Sequence, residues 1–357
     1  MMYNNPSNPI IHQILKSCLT KDIFMRETAY DYDQSIFFIQ KDEGQDLIKF
    51  SFSCNGSKQI LINGGEEMLQ ALYSDNLLPK DMHHPDYDVT LGIDGSKLPK
   101  TQKTSKKMDE DTLTKIKAQN EEIRKDRDRK VEELCTKFAQ FKRDFMGAPI
   151  RRALLNLQKG ISYSIQLLSP GQGNPKDSCE IPYRADEKYW VVAARNEVTI
   201  SFAMQFDNPT DRALARIFLL EFSDSKRYVK NPPAIIYHDI KFPENVSAIF
   251  PDASKEKYSN GVISFTLFDN HLKPSFDQPL TFLIGFRQYL HYHFHAIKAS
   301  LHSRMRKRVE TFQRVIAKAK RDQDAPKKYK DTIGGAQNED LREERKQEEV
   351  FQFKQQR

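Results

Sequence analysis

No proline interrupts the chain between Pro279 and Pro326, and apolar residues recur through that stretch at steps of three or four: Leu283, Phe286, Leu290, Phe294, Ile297, Leu301, Met305, Val309, Phe312 and Ile316. That spacing makes one stripe along an α-helix. Pro279 suits a first helical turn, with Asp277 or Gln278 just before it. The pattern predicts a single helix over 279–321, roughly 60 Å long at ~1.5 Å per residue. A small domain cannot cover all of such a stripe, and each large apolar side chain left in water forgoes ~1.5–3 kcal/mol. The stripe therefore implies a partner surface, with Leu290, Phe294, Ile297, Leu301, Met305, Val309, Phe312 and Ile316 as the candidate interface.

The other face of this helix is basic. Between Lys298 and Arg321 stand nine Lys or Arg residues (Lys298, Arg304, Arg306, Lys307, Arg308, Arg314, Lys318, Lys320, Arg321) against one acid, Glu310. A helix apolar on one side and cationic on the other is suited to dock one partner and offer charge to a second.

The whole chain carries 56 Lys and Arg against 49 Asp and Glu, a net charge of +7. This excess favours an acidic partner such as actin, nucleic acid or an anionic membrane, without choosing among them. The four cysteines (Cys18, Cys54, Cys135, Cys179) are far apart and lack CxxC spacing, which points to free thiols in a reducing compartment and away from a zinc ribbon. The N-terminus shows no basic-then-apolar leader pattern, and no apolar run is long enough to span a bilayer. The expectation is a soluble chain of the cytoplasm.

In order, Asn8 is placed to cap an amphipathic helix over 9–19. Strand patterns follow at 36–39, 48–54, 60–62 and 89–93, with a helix over 66–73. The 34 residues from Lys97 to Lys130 include 19 charged ones, which reads as a solvated linker or an exposed helical extension. A helical pattern resumes at Val131 and is broken by Gly147-Ala148-Pro149. Alternation returns at Ile161, Tyr163, Ile165 and Leu167, then at 189–194, 198–206, 235–237 and 262–268, while Ile217 and Leu219 fit either period. Both halves read as strands followed by a helix. The expected fold class is α+β: two similar α/β domains with largely antiparallel sheets, then the long C-terminal helix. The expected boundaries are a first domain at 1–96, a charged insertion or linker at 97–130, a helical segment completing the first domain at 131–159, a second domain at 160–278, the long helix at 279–321 and a polar tail at 322–357.

Catalytic constellations are missing from the sequence. There is no GxxxxGK[ST], no GxGxxG opening a helix after a strand, no HExxH, no GxSxG and no EF-hand loop. His291 and His295 share a helix face, but His293 points elsewhere and no carboxylate or cysteine completes a ligand set nearby. No metal, no cofactor and no catalytic residue is expected. Aromatics are not interleaved with the basic positions of the helix, which weakens a single-stranded nucleic-acid reading.

Several strings resemble a known family. Gly261–Phe268 (GVISFTLF), Leu283–Arg306 with its FRQYLHYH and HSRMR, Phe141–Pro149 (FKRDFMGAP), Tyr183–Val191 (YRADEKYWV), Asp86–Asp94 (DYDVTLGID) and Lys327–Ile333 (KKYKDTI) are similar to the subunit 2 family of the actin-related protein 2/3 complex, the actin branch nucleator. The resemblance runs over most of residues 10–335 and is strongest in the last third. It implies two α/β domains of one fold and a long helix that pairs with the equivalent helix of subunit 4, forming the core heterodimer. It further implies a non-catalytic scaffold that clamps the two actin-related subunits and binds the side of the mother actin filament, in the cytoplasm and its branched actin networks. By matching position, Arg304, Arg306, Lys307, Arg308, Lys318, Lys320, Arg321, Lys327, Lys328 and Lys330 are the candidates for facing the filament. The 97–130 stretch and the tail beyond Gly335 are longer than the family pattern, so no role is carried to them. No nucleic acid and no membrane insertion are implied. The alternative from the residues alone is a standalone basic helical protein that binds RNA or an anionic membrane through the same face.

Overall fold

Alternating apolar residues in the first third of the chain build a sheet with one buried face. In the computed structural model, which describes residues 7–21, 24–31, 34–100, 110–159, 178–224, 231–256, 258–273 and 275–324, helix α1 (Pro9–Lys21) precedes β1 (Met25–Tyr30), β2 (Ile36–Lys41) and β3 (Leu47–Ser53). Asn8 Oδ1 accepts from the backbone N–H of Ile10 at 3.0 Å and of Ile11 at 3.3 Å, the predicted cap. Helix α2 (Ser57–Ile60) leads through a wide helical turn at Leu61–Gly65 into α3 (Glu66–Tyr73), and β4 (Val89–Asp94) returns beside β3. The strand order is β1-β2-β3-β4, antiparallel throughout. Cross-strand partners Phe37 and Phe52, and Phe50 and Leu91, are all buried.

Residues 60–62, expected as a strand, are helical instead. In a strand Ile60 and Ile62 would share one face. Here Ile60 is buried and Ile62 is 77% exposed, because the chain is already turning towards α3.

From Glu110 onward the charged stretch is also helical. Helix α4 (Glu110–Ala139) begins well before the Val131 start that the apolar pattern suggests. Its exposed turns carry ion pairs at helical spacing, Glu121 with Lys125 at 3.2 Å and Asp126 with Lys130 at 3.0 Å, of the kind that support helix without burial. Helix α1 lies alongside. Glu132 meets His12 at 2.9 Å and Lys16 at 3.0 Å, and Arg127 Nη2 donates to the Leu19 carbonyl at 3.1 Å. Helices α5 (Phe141–Met146) and α6 (Ala148–Gln158) follow.

A second sheet comprises β5 (Cys179–Ile181), β6 (Tyr189–Ala193), β7 (Glu197–Ala203), β8 (Ala234–His238) and β9 (Val262–Phe268), in the antiparallel order β5-β6-β7-β9-β8. Between β7 and β8 runs α7 (Pro209–Asp224), which resolves the ambiguous Ile217 and Leu219 as helix; α8 (Glu244–Ser247) precedes β9. Helix α9 (Asp277–Asp324) follows β9. The Ile161–Leu167 alternation lies outside the described residues.

The fold is α+β, with two antiparallel sheets and a long C-terminal helix, as the sequence predicts. The two sheets repeat one plan. Three consecutive antiparallel strands are followed by an excursion containing helix and then a strand that returns beside the third; the second excursion adds β8 at the edge. The returning strand is tied at a matching place by hydroxyl pairs, Ser51 with Thr90 at 3.1 Å and Ser201 with Ser264 at 2.8 Å.

The chain divides into two compact units, Met1–Phe294 and His295–Arg357. In the first, both sheets feed one continuous apolar core. Helices α5 and α6 join them. The Phe141 ring packs at 5.3 Å from both Phe50 and Phe52, and Tyr189 Oη donates to the Met146 carbonyl at 2.8 Å. Among the described residues no helix is long and apolar enough to cross a membrane.

Candidate functional site

The apolar stripe of α9 meets two different fates. Its first members, Leu280, Leu283, Phe286, Leu290 and Phe294, are buried in the core of the first unit. The Phe286 ring centroid is 5.0 Å from Phe265 and 5.5 Å from Phe222, and Phe294 packs 5.3 Å from Phe206. Leu290 and Phe294, expected at a partner interface, are therefore already covered by their own chain and leave no surface to offer. From Ile297 onward the same stripe is bare. Ile297, Leu301, Met305, Val309, Phe312, Val315 and Ile316 are 40–65% exposed.

A buried ionic cluster holds the first part of α9. Arg287 Nε lies 3.0 Å from Glu187 Oε1 and 2.9 Å from Oε2, with both residues buried. Glu187 also accepts from Tyr183 Oη at 2.9 Å and from the Gln205 backbone N–H at 2.9 Å. Arg287 Nη2 donates to the Gln205 carbonyl at 3.2 Å, and its guanidinium stacks 4.1 Å from the Phe206 ring. Burial, reinforced by the Glu187 charge, pushes the Tyr183 phenol well above its ordinary range, so it stays a donor. Sequence reasoning missed this cluster. Its members come from β-flanking segments and a helix far apart in the chain, with no spacing rule to link them.

The cations of the exposed part of α9 do not form one face. At ~100° per residue, Arg304, Lys307, Arg314 and Lys318 fall within about 80° of one another, beside the apolar arc of about 120°. Arg308 falls inside the apolar arc, and Arg306 lies on its opposite flank. Arg304, Arg306, Lys307, Arg308 and Lys318 are exposed, and no acid among the described residues pairs with them. Arg314 reaches Glu310 at 3.0 Å on the surface. Lys320 and Arg321 belong to α9, but their side chains lie outside the described residues, as do Lys327, Lys328 and Lys330 entirely.

Of His291, His293 and His295, His293 is a packing residue and His295 is exposed. His293 stacks on Phe218 at 5.6 Å and meets Tyr289 edge-on at 4.3 Å. No group of three or more His, Cys, Asp or Glu among the described residues is placed to hold a metal ion. A cavity of about 740 Å³ is lined by Tyr73, Arg129, Glu132, Lys137, Arg143 and Asp144 among others. Several of its charges are met by neighbours: Arg143 grips Asp144, Arg129 reaches Asp126 and Glu133, and Glu132 binds His12 and Lys16. Lys137 is lowered from its ordinary range by desolvation, but it donates to Asn76 Oδ1 at 3.0 Å and lies over the Tyr73 ring.

Residues 104–323, well over half of the chain, match the family model described as Arp2/3 complex, 34 kD subunit p34-Arc. The chain belongs to the p34-Arc family. Among its relatives is the actin-related protein 2/3 complex subunit 2 of Dictyostelium discoideum, 26% identical over 320 residues that cover 90% of this chain and 94% of the relative. The subunit of the same name from Schizosaccharomyces pombe is 26% identical over 313 residues, covering 85% of this chain and 88% of the relative. The strings that carry the p34-Arc resemblance lie mostly at joints of the first unit. YRADEKYWV supplies Tyr183, Glu187 and Tyr189, FRQYLHYH supplies Arg287, and FKRDFMGAP supplies Asp144 and the Met146 carbonyl. In DYDVTLGID, Asp88 Oδ2 accepts from Ser53 Oγ at 2.6 Å. Among the described residues, the Leu283–Arg306 string alone of these reaches the exposed part of α9, through His295 to Arg306 with its HSRMR.

Proposed function

We propose that this chain acts as a non-catalytic scaffold subunit of an Arp2/3 complex in the cytoplasmic actin cytoskeleton. Ile297, Leu301, Met305, Val309, Phe312 and Ile316 pair with the long helix of subunit 4. Arg304, Lys307, Arg314 and Lys318 face the acidic side of a mother filament, while the first unit holds its place among the actin-related subunits. The observation that carries this reading is the change along α9, from a buried apolar stripe to a bare one on the same helix face. Seven large apolar side chains in water on one arc are costly for a chain that works alone. The p34-Arc membership names the kind of assembly that would cover them. The cations beside the arc are rim charges, which steer association and weaken with salt.

The test is co-expression with subunit 4. Leu301→Asp with Phe312→Asp is expected to abolish the heterodimer, because a buried unpaired charge is strongly disfavoured. Reversal to Glu at Arg304, Lys307, Arg314 and Lys318 together is expected to leave assembly intact and to weaken filament co-sedimentation, most clearly at low salt. A normal heterodimer yield from the first variant, or full filament binding by the second, overturns the corresponding half. Salt-sensitive binding of the unpartnered chain to RNA or anionic vesicles at filament-like affinity favours the polyanion alternative.

A further inference from the structure

Along the exposed part of α9, Ser300, Arg304, Lys307, Thr311, Arg314 and Lys318 recur at steps of four and three, which places them on one stripe. Thr311 is the hydroxyl at the centre of that stripe. It is exposed, and its Oγ1 donates to the Lys307 carbonyl at 2.8 Å, one turn back. The positions three and four residues away include Lys307, Arg308 and Arg314. Neighbours at such spacing have Cβ atoms ~5–6 Å apart, within easy reach of long cationic side chains.

We propose that Thr311 is a phosphorylation site that switches the cationic stripe off. The inference rests on the filament-facing reading of that stripe given above. The donor is a nucleoside triphosphate, and the catalyst is a protein kinase that selects basic residues on the N-terminal side of its target. Arg306, Lys307 and Arg308 stand five, four and three residues before Thr311, a like-charged run of the sort that kinases read by charge pattern. Ser303 has no such run before it, and Ser300 has Lys298 as its one Lys or Arg within the five preceding residues. No side chain from Ile297 to Lys318 is buried, so no core packing holds the turns around Thr311 closed. An unsupported helical stretch opens locally at low cost, as a kinase needs.

In the transfer, Thr311 Oγ1 attacks the γ-phosphorus and an O–P bond forms. The bond from that phosphorus to the β,γ-bridging oxygen breaks, and the nucleoside diphosphate leaves with the electron pair. The hydroxyl proton passes to the kinase's carboxylate base. The hydrogen bond to the Lys307 carbonyl is lost. The new group carries roughly −1.5 to −2 charge and three strong acceptor oxygens. It competes with the single charge of Glu310 for Arg314 and draws Lys307 and Arg308 into charge-assisted hydrogen bonds. Those cations are then engaged within the helix, and the four positive charges of the stripe are cut to a net of about +2 before an acidic filament.

The experiment treats the purified full chain with an arginine-directed serine/threonine kinase and ATP, maps the phosphate by mass spectrometry, and then assembles complexes from treated and untreated chain. Phosphate is expected at Thr311, and the phosphorylated complex is expected to bind filaments about tenfold more weakly, the scale of a few screened charge contacts. Thr311→Glu reproduces part of the loss, and Thr311→Ala binds as the parent and resists the kinase. Absence of phosphate at Thr311 overturns the site. Normal binding by the phosphorylated complex, while the fourfold charge reversal weakens binding, overturns the switch and leaves the face assignment standing. If the fourfold reversal itself is silent, the face assignment falls and takes the switch with it.

Discussion

Arg287 and Glu187 lie 100 positions apart in the chain and meet inside it, with Arg287 Nε 3.0 Å from Glu187 Oε1 and 2.9 Å from Oε2. The pair ties the first part of α9 to the segment before β6, and every other polar contact of the cluster is built around it. Removing Glu187 leaves Arg287 buried without that charge, and removing Arg287 leaves Glu187 only the more distant Arg184, whose Nε is 3.5 Å from Oε2. Breaking such a buried pair costs about 3–5 kcal/mol. Glu187→Gln and Arg287→Met are each expected to lower stability by that amount in urea denaturation of the full chain. The double variant Glu187→Leu with Arg287→Met is expected to recover part of the loss. Single variants that cost under about 0.5 kcal/mol, the scale of an ordinary surface change, rule out an anchoring role.

The two parts of α9 predict opposite responses to the same chemical change. Leu290→Ala and Phe294→Ala empty space inside a packed core and are expected to cost about 2–5 kcal/mol each. Leu301→Ala and Phe312→Ala remove side chains that already face water, so the isolated chain is expected to change by no more than about 0.5 kcal/mol. Thermal melts of the four variants check this. Equal destabilisation across the set contradicts the division at Phe294.

All four cysteines are buried and free. Burial pushes the Cys135 and Cys179 thiols up to about 12 and also raises Cys18. At pH 8 these groups stay protonated, and the thiolate is the reactive form. The native chain is expected to resist alkylation at pH 8 and to take up four equivalents once unfolded, at a rate that follows unfolding. Rapid labelling of Cys135 or Cys179 in the native chain is the contrary result.

Gly261 opens β9 at φ +65°, and a Cβ there would sit 2.1 Å from the His238 carbonyl oxygen. A side chain cannot be accommodated unless β8 moves away from β9. The left-handed backbone alone costs roughly 1–2 kcal/mol for a residue with a Cβ, so Gly261→Ala is expected to exceed about 2 kcal/mol in chemical denaturation. An unchanged midpoint counts against the close approach of these strands.

Much of the fold was legible because burial imposes a period. The alternation at 48–54, 89–93 and 262–268 marked strands that lie in sheets, that at 198–206 did so as far as Ala203, where β7 ends, and the three-four spacing marked α9. The errors have a common source. Residues 60–62 offered too few positions to separate the two periods, and only the turn towards α3 made them helix. The early start of α4 is supported by intrahelical ion pairs and by contact with α1, neither of which an apolar pattern registers. Strands β1 and β5 gave no usable alternation: β1 is an edge strand with few buried side chains, and β5 has three residues.

The sequence by itself determined that a long helix with an apolar arc and an excess of cations stands near the C-terminus, since periodicity and charge are properties of spacing alone. Only the tertiary structure decided where that arc stops being core. Leu290 and Leu301 are the same residue type on the same stripe, yet one meets the rings and strands of the first unit and the other meets water. Burial depends on what distant segments bring alongside, and those segments, like Glu187 opposite Arg287, are joined through space by contacts that no local spacing encodes.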